Sequence, residues 1–337
     1  MATIKDIATL TGVSCTTVSN VIHGRPGRVS AETIAKIEHA ITELNYVPNM
    51  SARSLVSNSS KVVALINHAA ICKDSNYMAD PFHASFAGII ESILREHGYY
   101  LMVRTVDTAS ELLTFLQNWN IDGLFITGIF RDSFFDSLSS LTLPIVLIDS
   151  YVQHPNFCNV GLEDFQGSYI ATKHLLEKGH RKIAFASPSI RDGGVLQERF
   201  LGYRAALTEY SIPFDSNLVF ECEMDLVSCR KLSSHLTQIP SLTALVTTAD
   251  IMAAGIMTGL RDSGVRVPDD ISIVGFDDLN ICQMLTPPLT TIHQDMLEKG
   301  QLAVNFIIEK LKGKTISKTN VSLPVHLIER QSVKRLL

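Results

Sequence analysis

The sequence predicts a chain in two parts: a small all-α unit at the N-terminus and a larger α/β unit of two lobes behind it. In the first 47 residues, apolar side chains recur at helical spacings of three and four. A polar stretch follows at 48–60, and from Lys61 short β-branched runs alternate with longer amphipathic stretches. A length of 337 residues is too great for one compact core, which agrees with a division into several units.

The composition is typical of a soluble globular protein, with 46% hydrophobic and 19% charged residues. The chain has no 18-residue apolar run and no apolar stretch behind a basic cluster at its start, so we expect no membrane span, no secretory signal and a cytoplasmic location. Its six cysteines form no C-x-x-C pair and stand far from ligand histidines. We therefore expect free, mostly buried thiols, no metal site and no cofactor.

Charge alone does not indicate a nucleic-acid partner. Residues 1–60 hold five Lys or Arg against four Asp or Glu, a net charge of about +1, within a chain whose net charge is −5. A broad basic surface is therefore not the basis for predicting DNA binding. Backbone N–H groups at helix starts, hydroxyl groups and a few placed arginines would have to meet the phosphates.

The first two helices of the N-terminal unit are predicted from their caps. Thr3 caps a helix over 4–10 whose third position is Asp6, a pattern like a capping box. Gly12 suits the turn that follows, because the left-handed backbone is cheapest at glycine. Ser14 caps the second helix, whose apolar stripe faces inward. The outer face of this second helix is small and polar: Cys15, Thr16, Thr17, Ser19 and Asn20.

A third helix begins at Ser30 and stops near Asn45, and its apolar stripe completes a small core. From periodicity alone, a purely structural helical bundle is as good an interpretation as a DNA-binding unit. The second helix favours DNA, because its short polar side chains allow close approach to a major groove. Asn20 can form a bidentate contact with adenine, while Cys15 and Thr16 can touch thymine methyl groups.

These residues carry a resemblance to the headpiece of the lactose/purine repressor family of bacterial transcription regulators. It covers residues 1–60 and implies an all-α helix-turn-helix DNA-binding headpiece over 1–47, then a hinge helix and linker over 48–60. The matching segments are Thr3-Ile4-Lys5-Asp6-Ile7-Ala8, Gly12-Val13-Ser14, Thr17-Val18-Ser19, Val29-Ser30, Tyr46-Val47-Pro48-Asn49 and Ala52-Arg53-Ser54-Leu55.

The resemblance also implies which residues contact DNA. Cys15, Thr16 and Asn20 would read bases, and because cysteine replaces the Tyr or Thr often found at the first of these positions, the operator sequence does not carry over. The other implied DNA contacts are Thr3, Ser14, Thr17, Ser19, His23, Arg28, Tyr46, Asn49, Ala52, Arg53 and Leu55.

The hinge follows Pro48, which prevents the third helix from continuing. Met50–Val56 is far too short for a stable isolated helix, because helices below ~12 residues are marginal in water. In the resembling family this segment pairs with its counterpart across a dimer axis and inserts a leucine, here Leu55, into the minor groove. Core packing is the alternative interpretation of Leu55.

Behind the linker, the alternation of strands and helices predicts parallel sheets covered on both faces, and the series restarts near residue 160, which implies two similar lobes. We predict strands at 62–66, 100–105, 123–126, 145–149, 182–187, 244–247 and 271–276. We predict helices at 82–97, 110–119, 165–178, 197–210, 251–263 and 295–312.

Two lobes of this kind place a ligand in the cleft at the carboxyl ends of their strands. Carboxylates and arginine can bind vicinal hydroxyls there, and an aromatic face can cover a sugar ring or a base. The predicted effector-binding residues are Phe82, His83, Gly128, Asp149, Arg199, Asp250, Phe276 and Asp277.

Each of these assignments has a structural alternative. Arg199 could pair with Glu198 or Glu209 on a solvated helix face. Asp250 could cap the helix that starts beside it, and Asp277 could close a turn.

The region after the linker is similar to the same family's effector domain, which implies a bilobed periplasmic-binding-protein-like fold over 61–337. Lobe 1 is expected at about 61–152 and 292–318, and lobe 2 at about 153–291 and 319–337. His83 and Ala249 depart from the family pattern, which leaves the ligand's identity open. The matching segments are Asp80-Pro81-Phe82, Asp122-Gly123-Leu124, Pro144–Asp149, Gly179–Ile183, Glu198–Tyr203, Val267–Ser272, Gly275–Asp278 and Leu285–Thr291.

The leading hypothesis is a transcriptional repressor whose operator affinity depends on a small-molecule effector, with a sugar or sugar derivative as the expected class. Because one headpiece covers half of a palindromic operator, we expect a homodimer. Whether the effector releases or recruits the protein stays open, as does a protein corepressor.

Two other classes of function fit the sequence less well. A solute-binding protein of a transport system would share the bilobed domain, but the headpiece and the lack of an export signal argue against it. An enzyme is disfavoured because G-x-G-x-x-G, G-x-x-x-x-G-K and G-x-S-x-G motifs are absent from the sequence.

Overall fold

The computed structural model describes residues 2–22, 27, 29–46, 59–68 and 77–336. These residues divide into two compact units, Met1–Ser60 and Lys61–Leu337. The predicted hinge helix lies outside the described residues, and so do six predicted DNA contacts: His23, Arg28, Asn49, Ala52, Arg53 and Leu55.

The N-terminal unit contains α1 (Ile4–Thr11), α2 (Cys15–Ile22) and α3 (Ala31–Glu43). The predicted cap of α1 is confirmed: Thr3 Oγ1 accepts a hydrogen bond from Asp6 N, and the Asp6 carboxylate accepts one from Thr3 N at 2.8 Å. Gly12 ends α1 with a φ of 71°, as the turn requires. The core of this unit is formed by one fully buried residue from each helix: Ile7, Val18 and Ile37.

In the second unit, the described residues form two six-stranded sheets. The first has the order β11-β5-β4-β3-β1-β2 and the second β12-β10-β9-β8-β6-β7, and the described pairings are parallel except for that between β10 and β12. The strands are β1 (Val62–Asn67), β2 (Tyr100–Thr105), β3 (Gly123–Thr127), β4 (Ile145–Ile148), β5 (Cys158–Leu162), β6 (Ile183–Ser187), β7 (Val219–Glu221), β8 (Ala244–Thr247), β9 (Ser272–Asp277), β10 (Thr290–Gln294), β11 (Asn320–Leu323) and β12 (Val325–Ile328).

Helices cover both faces of these sheets, and the six predicted helices and seven predicted strands are confirmed to within two residues at each end. Eight further elements were not predicted: β5, β7, β10, β11, β12, α6, α9 and α11. The helices are α4 (Pro81–Glu96), α5 (Ala109–Asn118), α6 (Ser133–Leu138), α7 (Asp164–Glu177), α8 (Val195–Glu209), α9 (Leu226–Leu236), α10 (Asp250–Asp262), α11 (Ile281–Met284) and α12 (Met296–Leu311).

The chain crosses between the two sheets after Leu162, after Gln294 and at Pro324. The predicted lobe boundaries near 152, 292 and 319 therefore come too early. The physical reason is strand pairing. β5 and β11 still belong to the first sheet, where they pair with each other, and β10 still belongs to the second sheet. These crossings bring the strand ends of both lobes to one cleft.

Three further features concern the described part of the chain. None of its helices has both the length and the apolar composition needed to cross a membrane. No group of three or more His, Cys, Asp or Glu residues in it could hold a metal ion. The cysteines there carry free thiols, of which Cys15 is exposed and Cys158, Cys222, Cys229 and Cys282 are buried.

Candidate functional site

The exposed face of α2 is built as the sequence predicts. Cys15, Thr16 and Asn20 are exposed, while Val18 is turned into the core. Ser14 Oγ accepts a hydrogen bond from Thr17 N at 3.1 Å and lies 2.9 Å from Thr17 Oγ1, which fixes the first turn of α2. α2 therefore presents short polar side chains that a major groove can approach closely.

The other predicted DNA contacts among the described residues include Thr3, Ser19 and Tyr46. Thr3 stands at the start of α1, where the capping box takes up its own N–H group and that of Asp6. Ser19 is partly exposed on α2 beside Asn20. Tyr46 is half-buried and packs on the headpiece core, so its ring has a structural contact in addition to the predicted DNA contact.

A cavity of about 610 Å³ lies between the two lobes. At one edge of it, Arg191 of lobe 2 stacks on the Phe130 ring of lobe 1, with its guanidinium carbon 4.0 Å from the ring centroid. Gly128, at the end of β3, has a φ of 73° and shapes the turn that leads to Phe130. The cavity is lined by Phe130, Arg131, Tyr151, Val152, Arg191, Asp192 and Gly193.

Arg199 is buried beside this cavity and is paired with a residue that was not predicted. Its Nε and Nη2 both lie 2.8 Å from Asp164 Oδ1, and Nη1 donates to the Thr248 carbonyl. Tyr151 Oη donates to Asp164 Oδ2 at 2.8 Å. Although burial opposes its charge, the carboxylates of Asp164 and Asp277 raise the pKa of Arg199. Neither Glu198 nor Glu209, the suggested alternatives, forms this ion pair.

Phe276 and Asp250 are buried and have partners within the protein, and their assignment as effector contacts stays a prediction. The Phe276 ring is 2% exposed and lies under the Arg199 guanidinium, 3.5 Å from its carbon atom. Asp250 is fully buried, and its two oxygens accept hydrogen bonds from Leu279 N at 2.8 Å and Thr291 Oγ1 at 2.6 Å. Phe276 therefore packs against one face of the Arg199 guanidinium, and Asp250 connects α10 to β10 by a hydrogen bond.

Asp149 and Asp277 belong to one buried chain of hydrogen bonds. Lys299 Nζ donates to both oxygens of Asp149, at 2.7 and 2.8 Å, and to Gln294 Oε1 at 2.8 Å. Gln294 Nε2 then donates to Asp277 Oδ1 at 2.6 Å. Burial raises the pKa of Asp277 well above its ordinary value, although Arg199 opposes this rise. The chain joins β4 and α12 of lobe 1 to β9 and β10 of lobe 2.

An aromatic corner lies on the lobe 1 side of the same chain. Phe82 and His83 contact each other edge to face, and His83 stacks on Tyr77 with ring centroids 4.2 Å apart. Lys299 Nζ lies 5.4 Å from the Phe82 ring centroid. Burial lowers the pKa of His83, despite Asp80 at 3.7 Å, so its ring is neutral at pH 7. Within the described residues, His83 Nδ1 and Thr248 Oγ1 are buried without a hydrogen-bond partner.

The structure thus brings Arg199, Asp149, Asp277, Phe82 and His83 into one set of contacts between the lobes and adds partners that the sequence analysis missed. None of the predicted effector-binding residues is among those that line the cavity described above. Lys299 could have been noticed, because the positions of α12 around it, 300, 303, 304 and 307, form a buried apolar stripe. Asp164 carried no comparable signal, since an acidic residue in a first helical turn is common. The missed residues are Tyr151, Asp164, Thr248, Gln294 and Lys299.

Comparison with known proteins agrees with both units. Residues 3–49 match the family "Bacterial regulatory proteins, lacI family", and residues 172–333 match the "Periplasmic binding protein-like domain". Over the full length of both chains, the protein is 32% identical to the HTH-type transcriptional repressor PurR of Mannheimia succiniciproducens.

Two solved structures are similar over nearly the whole chain. One is the lac repressor dimer bound to operator and the anti-inducer ONPF, with a TM-score of 0.85, 26% identity and 99% of each chain covered. The other is the complex of the transcriptional regulator CelR with cellobiose, with a TM-score of 0.72, 28% identity, and 98% of this chain and 100% of the other covered.

Proposed function

The chain belongs to the lacI family of bacterial regulatory proteins and is a DNA-binding transcriptional repressor, and from this premise we propose that its operator affinity is set by a small polar effector bound between the two lobes. The observation that carries this proposal is the convergence of the Arg199–Asp164 pair and the Asp149–Lys299–Gln294–Asp277 chain on one cleft. A ligand that contacts both lobes binds some relative orientations of the lobes more tightly than others. It therefore shifts the equilibrium between those orientations, as an allosteric switch requires.

We propose a carbohydrate or carbohydrate derivative as the effector. Carboxylates, a guanidinium and the aromatic rings of Phe82 and Tyr151 suit a ring that bears several hydroxyls. The similar CelR structure carries cellobiose, which supports this class. On the DNA side we propose that Cys15, Thr16 and Asn20 read bases of a palindromic operator, each subunit of a cytoplasmic homodimer covering one half-site.

The test has two parts. First, DNA is selected from a randomised palindromic library, and binding of the selected operator is compared with that of random DNA by gel shift. Then the thermal unfolding of the protein is measured with D-ribose, cellobiose, D-ribose 5-phosphate and hypoxanthine, and any compound that shifts it is added to the operator-binding assay. A compound that raises the unfolding temperature and changes operator affinity supports the proposal. Specific operator binding that no stabilising compound alters contradicts it.

A further inference from the structure

Lys299 is a buried lysine at the point where the two lobes meet. Its side chain is 0% exposed, and its three hydrogen bonds go to the two oxygens of Asp149 and to Gln294 Oε1. Asp149 follows β4 in lobe 1, whereas Gln294 ends β10 in lobe 2. Since an ammonium group has three donors, Lys299 is fully satisfied by groups of both lobes. A buried cation with this arrangement fixes its partners rather than contributing much to stability.

The chemistry of Lys299 determines which way the Gln294 amide points. An ammonium group can only donate, so Gln294 has to present its carbonyl oxygen to Lys299 and its NH2 group to Asp277. An ionised Asp277 can only accept, so it favours the same orientation of the amide. A protonated Asp277, the form that burial favours, could instead donate to the oxygen of a rotated amide, and Lys299 prevents that rotation.

The same contacts balance the charges of the cleft. The Arg199 charge is matched by Asp164 at 2.8 Å, and the Lys299 charge is matched by Asp149 at 2.7 Å. Asp277 Oδ2, by contrast, receives no hydrogen bond from the described residues. Around Asp277, the described residues thus offer an acidic group and only matched cations, and this position suits an uncharged hydroxyl or N–H group better than an anion, which would have to bind beside Arg131 and Arg191 of the cavity lining.

We propose that Lys299 is a positioning residue: it fixes the direction of the Asp149–Lys299–Gln294–Asp277 chain and thereby makes the inner cleft selective for effectors with an uncharged hydroxyl or N–H group. This proposal rests on the proposed function, because it assumes that an effector binds in the cleft. The arrangement of the chain itself can be tested without any effector and without DNA.

The first test is a double-mutant cycle between residues that share no hydrogen bond, Lys299→Met and Asp277→Asn. Unfolding in urea is followed by the fluorescence of Trp119, the single tryptophan of the sequence, which lies in the second unit. Members of one network couple, whereas separate residues act independently. If the two residues were independent, the change in the unfolding constant of the double variant would equal the product of the changes in the two single variants. We expect a deviation of about fivefold from that product, and no deviation when the same cycle is run with Gln294→Leu.

Independent effects in the wild-type background, or coupling that persists with leucine at 294, would overturn the proposal. If Lys299→Met does not fold, the cycle is run with the combined variant Lys299→Met/Asp149→Asn. The second substitution removes the Asp149 carboxylate, which would otherwise be buried without its cation. The matched control is Lys312→Met at the end of the same helix, where Lys312 is exposed and pairs with Glu309. It should not couple to Asp277→Asn.

The second test compares uncharged and anionic probes by thermal shift and calorimetry. Cellobiose, D-ribose and hypoxanthine are the uncharged probes, and inorganic phosphate is the anion. We expect a binding uncharged probe to lose at least tenfold in affinity with Lys299→Met and nothing with Lys312→Met. Phosphate binding that Arg199→Met abolishes would overturn the selectivity. If no probe binds, the proposed effector class fails, while the cycle still decides the part played by Lys299.

Discussion

Replacing Asp164 by asparagine should destabilise the second unit strongly, although the two side chains have nearly the same shape. The Asp164 side chain is 0% exposed, and its carboxylate is the partner of two Arg199 nitrogens, each 2.8 Å from Oδ1. Asparagine can accept hydrogen bonds at this position but leaves the buried guanidinium without a counter-charge. Breaking a buried pair in this way costs about 3–5 kcal/mol, which is at least a 100-fold change in the unfolding constant.

The structure supplies a matched control for this prediction. Arg230 and Asp262 also form an ion pair, at 3.1 Å, but their side chains are 52% and 47% exposed. Solvent screens such a pair, so Asp262→Asn should cost no more than about 1 kcal/mol. Urea unfolding followed by Trp119 fluorescence measures both variants in the same unit.

Two outcomes would refute this reasoning. If Asp164→Asn costs no more than Asp262→Asn, the guanidinium of Arg199 is not held as a buried charge. If Arg199→Met in the Asp164→Asn background restores none of the lost stability, the loss does not come from an unpaired cation, because removing that cation should relieve it. A partial recovery is expected, since a neutral pair of similar volume needs no counter-charge.

Further predictions concern DNA reading, pH and helix packing. Asn20→Ala should weaken binding to the selected operator by about 1–3 kcal/mol and binding to random DNA hardly at all; fluorescence anisotropy measures both, and equal losses would remove Asn20 from base reading. Burial raises the pKa of Asp250 to about 6, against about 3.9 in an unfolded chain. The folded state therefore binds more protons between these pKa values, and the free energy of unfolding falls by up to about 3 kcal/mol as the pH rises from about 4 to about 6. Asp250→Asn escapes this loss, and its stability relative to wild type should therefore improve over that interval in urea titrations; a constant difference would contradict the cause. Gly202→Ala should destabilise by at least about 1–3 kcal/mol, because the new Cβ would lie 2.9 Å from the backbone nitrogen of Tyr169 on the neighbouring helix. Gly88→Ala meets nothing within 4 Å and should stabilise its helix by about 0.5–1 kcal/mol, so thermal shifts of the same sign for both variants would be inconsistent with this geometry.

The sequence predicted the elements that depend on local chemistry. The capping box of Thr3 and Asp6, the turn at Gly12 and the exposed polar face of α2 follow from side chains within four residues of each other. The alternating strands and helices of the second unit follow in the same way, because a periodic apolar face has to be buried wherever it occurs. The cleft at the strand ends was predictable from topology, since parallel strands present their carboxyl ends at the same edge.

The partners of the polar groups in that cleft could not be predicted, because they are far apart in the sequence. The structural alternative for Arg199 was a pair with a glutamate on its own helix, but Arg199 pairs with Asp164, 35 residues away. Lys299 lies 150 residues from Asp149. In a buried cleft, each charge pairs with whichever opposite group the sheet crossings bring within 3 Å, and an unpaired one would be costly. The sequence by itself therefore determined the two units, most of their elements and the place of the cleft. Only the tertiary structure decided which charges there are already matched and which polar atoms remain for an effector.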